Sequence, residues 1–316
     1  MNATGLVVAF MLGSVGTLAL GSAAKWLDRK VTARVQWRVG PPWYQPAMDC
    51  LKLMGKETLV PSTGQTTAFL IAPLIGLAAV CLAATLLWVM NLERGISFVG
   101  DAIVVIYLLA IPAVAAMLGA AAAGSPHASM GASREMKLLL SYELPLIVAL
   151  LVAVVQTGGS FRIGEILAGQ AAAPVALASI SGTLALLVGI LCIHAKLGLV
   201  PFDQAEAETE LQAGIYTEYS GAVLGIVFLS RLAMLVALPL LLVTLFLGGV
   251  SLSGWGLLFS VLKLLAVLVV ITLLRNTNPR LRIDQSVKFF WYIATPAALA
   301  ALLLALLGQH YQVGWL

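Results

Sequence analysis

Charge is scarce in this chain. Only 10% of its 316 residues are Asp, Glu, Lys or Arg, where a soluble domain carries roughly 25%. That deficit excludes an ordinary soluble enzyme. Cysteine is scarce too: Cys50, Cys81 and Cys192 lie far apart, with no CxxC pair. No iron–sulfur cluster or structural zinc is therefore expected from this chain alone. His127, His194 and His310 are equally scattered, so no metal site is expected either. The sequence lacks a GxxxxGK[ST] phosphate loop, a GxGxxG, a nucleophile elbow and an HExxH. Nothing in it reads as a self-contained enzyme. The net charge of +4, in so apolar a chain, bears on loop orientation rather than on nucleic acid.

What is present is hydrocarbon. The hydrophobic fraction is 61% and the mean hydropathy +1.01. A spanning helix needs about 20 mostly apolar residues. Eight stretches qualify: 3–24, 67–90, 101–123, 138–157, 175–199, 220–247, 257–275 and 289–308. Their length predicts helices, because a membrane barrel shows short alternating segments instead. The expected fold class is an all-α integral membrane protein with about eight transmembrane helices. It is expected as a single membrane domain over 1–316, with long cytoplasmic loops. The first run ends in "GSAA", which looks like a signal cleavage site. No basic residue precedes it, and a secretory signal needs one. It is expected as a retained first helix.

The connections carry a strong asymmetry. Lys25, Arg29, Lys30, Arg34, Arg38, Lys52, Lys56, Arg134, Lys137, Lys196, Arg275, Arg280, Arg282 and Lys288 fall in the odd-numbered connections, fourteen of eighteen basic residues. Only Arg94 and Arg162 fall in the even ones. The positive-inside rule places the odd connections in the cytoplasm and both termini outside. The first connection mixes these charges with Trp26, Trp37, Trp43 and Tyr44. Its first part is expected as an amphipathic helix on the membrane surface, its second part as a segment that dips or docks.

Four groups of residues stand out. The stretch "PFDQAEAETELQAGIYTEYSG", 201–221, holds five of the fourteen carboxylates between two apolar runs. If 201–212 is helical, Asp203, Glu206 and Glu210 share one face and Glu208 points away. Crowded carboxylates raise one another's proton affinity, which suits a proton relay. The plain alternative is a solvated acidic loop, but the acids are interleaved with Ala and Leu rather than Lys. Glu143, in "LLLSYELPLIVALL", lies inside a span, where a carboxylate is costly and usually faces a bundle interior. Arg231 and Lys263 also lie inside spans and are expected to pair with acids or to snorkel. Finally, "RVGPPWYQPAMDCLKLMGKE" reads as a structured loop carrying Arg38 and Asp49.

Together these segments resemble a known family. "RVGPPWYQPAMDCLKLMGKE", "GASREMKLLLSYELPLIVALL" and "PFDQAEAETELQAGIYTEYSG" occur in that order. They are similar to the membrane subunit shared by respiratory complex I (its subunit 1, or H) and the energy-converting [NiFe] hydrogenases. "GPPWYQP" and "SPHASMGASRE" resemble the hydrogenase branch, which includes formate hydrogenlyase; the complex I form reads GPNR there. The resemblance implies a non-catalytic subunit of the cytoplasmic (inner) membrane that anchors a redox arm and passes its effect on to H⁺ or Na⁺ movement. It implies partners: hydrogenase large and small subunits, an iron–sulfur subunit and antiporter-like membrane subunits. It implies no cofactor in this chain, with the [NiFe] centre and iron–sulfur clusters in those partners. Carried over by motif, Asp203, Glu206, Glu208, Glu210 and Glu218 form the acidic loop and Glu143 the buried carboxylate of the relay. Arg134 is implied as a charge partner, with Arg38 and Asp49 near the docking surface. A quinone-site subunit of complex I and the equivalent subunit of a sulfur-reducing complex remain as alternatives.

Overall fold

The computed structural model describes residues 3–62, 64–93, 95–172, 175–252 and 254–311, and leaves the side chains of Ala3, Thr4, Leu6, Ala172 and Glu208 outside that description. Among the described residues every regular element is helical. The long helices are α1 (Ala3–Val35), α3 (Thr66–Leu92), α4 (Asp101–Ala122), α5 (Pro126–Gln156), α9 (Gly221–Phe246) and α10 (Trp255–Thr277), with the short α6 (Ile163–Ala172) following α5. A last span joins α11 (Ile283–Phe289) to α12 (Thr295–Tyr311) through a π turn at Phe290–Ala294. Among the described residues seven spans are long and apolar enough to cross a membrane. The stretch expected at 175–199 folds as α7 (Ile180–Lys196), 17 residues behind a 3₁₀ turn at Ala176–Ala178. At 1.5 Å per residue α7 is ~25 Å long, close to the ~30 Å hydrocarbon core.

Helices that are apolar all round are buried. α9 sits at the centre: 78% of its most apolar window is buried, against 17% for α1 and 28% for α10. α1, α3 and α7 pack against it, α12 packs on α5 and α7, and the main core runs through α3, α4, α5, α7, α9 and α12. The spans alternate in direction, so the bundle has two ends. The odd connections meet at one of them, the basic end, where Gln65 N donates to Ala122 O, Leu281 N to Pro201 O and Arg134 to Glu210.

Two local expectations are corrected. The first connection does not begin with a surface helix. α1 continues unbroken to Val35, and the amphipathic element is instead the short α2 (Gln45–Met54). Pro46 in its first turn needs no N–H there, and Pro46 and Cys50 form its buried face. Second, 201–212 is not a helix. Only α8 (Glu208–Leu211) is helical. The carbonyl of Pro201 accepts from Leu281 N at 3.1 Å, and the carbonyl of Ala205 from Ile215 N at 3.2 Å. Tertiary partners thus take groups a helix would have used. Ala207 and Gln212 have φ of +40° and +61°, which no right-handed helix contains. α5 leaves room for this loop at Gly131, where a Cβ would fall 2.5 Å from Ile215 N and 2.8 Å from Ala205 O.

Candidate functional site

The loop from 197 to 219 closes over a cavity of about 360 Å³ at the basic end, between α3, α4, α5 and α9. Pro73, Pro112, Ala113, Phe228 and Leu235 give it apolar walls. Its charged lining comes from both helices and loop: Lys25, Glu135, Lys196, Arg231 and Arg275 on helices, Asp203 and Glu206 on the loop.

The loop acids do not stack on one face. Asp203, Glu206 and Glu210 each have a different arginine as nearest partner, with Arg280 also 3.9 Å from Glu210. Asp203 pairs with Arg280 at 3.0 Å, and Glu210 with Arg134 of α5 at 2.6 Å. Glu206 forms a short ion pair with Arg231 of α9. The Arg231 guanidinium also lies 4.4 Å from the centroid of the Tyr216 ring, a cation–π arrangement that fixes the fork from its other side. Mutual repulsion is therefore replaced by compensation. The hydrogen bond from Arg134 holds the Glu210 carboxyl below its ordinary value. Burial pushes the Tyr216 phenol up, so it stays neutral beside the pair. Glu218 is half-buried and forms no ion pair among the described residues.

Glu143 lies in the middle of α5 and is paired from both oxygens with Lys196 Nζ, at 2.9 and 3.2 Å. The Lys196 side chain is 1% exposed and that of Glu143 16%. Burying both charges is tolerable only because they bury each other. The positive-inside pattern counts Lys196 among the cytoplasmic loop charges; the structure makes it the last residue of α7, inside the bundle. Glu135, passed over in the sequence, lies eight residues before Glu143 on α5 and lines the cavity with Lys196, Glu206 and Arg231. Two turns of helix put it on the same face as Glu143, which is the signal that would have found it.

A third charged cluster was also missed. Asp28 of α1 is buried and accepts from Lys25 at 3.0 Å, Arg275 at 2.9 Å and Thr272 at 3.3 Å. It was hidden inside the basic run "KWLDRK". Lys263 is not part of any of these. It sits at the opposite end of the bundle and donates to the carbonyls of Leu247 and Gly249, which lie just beyond α9, rather than to an acid. Arg38 and Asp49 are not brought together. Arg38 is exposed, whereas Asp49 accepts from Arg29 at 2.7 Å and Gln45 at 2.8 Å. Burial works to raise the Asp49 carboxyl, but these bonds outweigh it and hold it low. Among the described residues no group of His, Cys, Asp and Glu has the arrangement of a metal site.

The arrangement thus sets Glu206–Arg231, Glu135 and Lys196–Glu143 in succession from the loop into the bundle. Such a row of alternating charges can shift a proton or a charge sideways through a membrane.

A protein-family profile described as "NADH dehydrogenase" matches residues 6–306. The H subunit of the NADH-quinone oxidoreductase of Thermomicrobium roseum is 34% identical, with 98% of each chain covered. Its counterpart in Dehalococcoides mccartyi is 33% identical over 88% of this chain and 80% of its own. Among solved structures, a chain of the membrane-bound sulfane sulfur reductase, an archaeal respiratory membrane complex, superposes with a TM-score of 0.86. It is 30% identical and is covered to 99%, against 95% of this chain.

Proposed function

The chain belongs to the NADH dehydrogenase family, as a multi-pass membrane protein homologous to the H subunit of complex I-like oxidoreductases, and we propose that within it this chain is the coupling subunit of a membrane-bound [NiFe] hydrogenase. Its basic end faces the cytoplasm and both termini face outside, as the fourteen basic residues of the odd connections favour. A soluble arm of hydrogenase large and small subunits and an iron–sulfur subunit docks there, and antiporter-like subunits flank the chain in the membrane. The observation that carries this reading is the pair of carboxylate–cation contacts, Glu206–Arg231 and Glu143–Lys196, at and behind a charged cavity. Electron transfer in the arm perturbs the first pair, and the second passes the change along α5. The hydrogenase branch is supported by "GPPWYQP" and "SPHASMGASRE".

A second reading rests on the cavity itself. Its volume and apolar walls suit the ring of a quinone, and relatives of this chain are named for quinone reduction. One measurement on the purified native complex separates the two: hydrogen evolution from a low-potential donor, with nickel analysis. Nickel with hydrogen supports the hydrogenase. Quinone reduction without nickel moves the chain to the complex I branch. Sulfur reduction without either moves it beside the sulfane sulfur reductase. Within any of these, Glu206→Gln is expected to lower ion translocation per turnover while the complex still assembles. Unchanged translocation would sink the relay.

A further inference from the structure

Trp37 is the most exposed large apolar side chain among the described residues, at 98%. Its backbone is as unusual as its exposure. α1 closes with Trp37 N donating to Arg34 O at 3.2 Å and Arg38 N to Ala33 O at 2.7 Å. This is the Schellman pattern, and the residue at its left-handed position is usually glycine. Here it is Trp37, at φ +57°. A bulky side chain in that region is strained. An outlier of this kind is a reason to look for a function.

The tip is also rigid. Beyond it the chain turns back along α1. Gly40 lies so near α1 that a Cβ would meet Lys30 Cδ at 2.7 Å. Trp26 Nε1 then donates to Pro41 O at 3.1 Å. Both arms of the turn are thereby tied to one helix.

Lipid does not reach it. The uncharged part of α1 ends at Ala24, and Val35 is eleven residues further on. At 1.5 Å per residue that is ~16 Å, whereas the headgroup layer adds only about 5–8 Å on each side. The apolar face of α2, with Met48, Leu51 and Met54, is tied lower down, at Arg29, through Asp49. α2 is therefore the element at lipid level, and Trp37 stands above it. Around Trp37, Lys30, Arg34 and Arg38 form no ion pair among the described residues. Val39 beside it is 96% exposed. A preorganised Trp flanked by arginines has the composition of an interface hot spot.

We propose that Trp37 is a rigid peg that docks a soluble protein subunit, through a socket apolar at its floor and rimmed by carboxylates that meet Arg34 and Arg38. This rests on the arm-anchoring reading above. It adds the residue that does the anchoring and the chemistry of its partner.

The test uses the full complex in native membranes. Trp37→Gly removes the ring and suits the left-handed backbone, so the chain folds at least as well. Stepwise salt washing is expected to release at least about tenfold more soluble arm from Trp37→Gly membranes than from wild type. Trp37→Phe should fall between them. Arg34→Glu with Arg38→Glu should lower the salt needed for release. The amount of this chain left in the membrane should not change. Superimposable release curves would overturn the peg and leave the arm reading intact. Loss of the chain itself from the Trp37→Gly membranes would overturn it in favour of a lipid or folding role. A wild-type chain that purifies with no soluble redox subunit would overturn the arm reading, and the peg with it.

Discussion

The two ends of this bundle both bury polar groups, but they do so with different chemistry. At the basic end they are charged: Glu143–Lys196 and Asp28–Arg275 join separate helices, Lys25 meets Asp28 within α1, and the half-buried Glu206–Arg231 pair joins loop to helix at the cavity. At the opposite end they are mostly neutral, and their partner is usually the backbone. Asn91 donates to Leu87 O and Thr244 Oγ1 and accepts from Val250 N, at 2.8–2.9 Å. Gln170 donates to Leu245 O at 2.6 Å and accepts from Gly248 N at 2.7 Å. Lys263 closes the same carbonyl-rich turn. Among the described residues the ion pair at that end is Arg162–Glu165, on the surface. An amide that closes a loop has one good arrangement. A charge pair beside a cavity has two, since either partner can find another. On the relay proposed above, the far end stays put and the basic end responds.

The comparison breaks most visibly at Lys196. Lys196→Met leaves the Glu143 carboxylate inside the bundle without its cation. Removing one partner of a buried pair costs about 3–5 kcal/mol. The thermal midpoint of the solubilised complex should drop sharply, and ion translocation should stop. Adding Glu143→Leu should restore most of the stability, because two apolar groups pack where two charges did. Translocation should not return with it. If the double variant still translocates ions, the pair is structural and the two ends do not differ in kind.

At the far end the effect is smaller and of another type. Asn91→Leu orphans the Val250 N–H and takes one donor from the Thr244 hydroxyl, which keeps its bond to Leu240 O, a loss of about 1–3 kcal/mol. Stability should fall while the ratio of ions moved to electrons transferred stays fixed. A changed ratio would mean that the far end also takes part in coupling.

The all-helical class was legible from run length, because it follows from the bilayer as solvent, but run length overcounted: eight spans were expected, and among the described residues seven are long and apolar enough, with α7 falling short. The family was legible in three motifs, and the match over residues 6–306 agrees with it. The partners inside the site were not legible. Spacing on a hypothetical helix grouped Asp203, Glu206 and Glu210 together, but the segment gives its backbone to Leu281 and Ile215 and sends each acid to a different helix or loop. Lys196 was hidden by the positive-inside rule. Counting it as a loop charge removed it from the candidates, although a lysine ending an apolar helix is well placed to meet a carboxylate inside. Lys263 errs the other way, since depth in a span marks a buried cation without saying whether an acid or a carbonyl satisfies it.

The smallest expected effect concerns how the loop is held. Arg134 donates to Glu210 at 2.6 Å, and that bond keeps the carboxyl below its ordinary value of 4.5. A carboxyl depressed in the folded state adds stability above its unfolded value, and this is lost as pH falls through the folded one. Glu210 is 52% exposed, so the gain is small. Amide exchange at Ile215, corrected for the intrinsic effect of pH, should stay flat down to about pH 4.5 and quicken below it. Arg134→Ala should erase that step and raise exchange slightly at neutral pH. Flat protection in both proteins would mean that the loop is seated by contact at Gly131 rather than by charge. The loop would then be held as the far end is, by shape and backbone, and the responsive part of the basic end would shrink to the two pairs behind it.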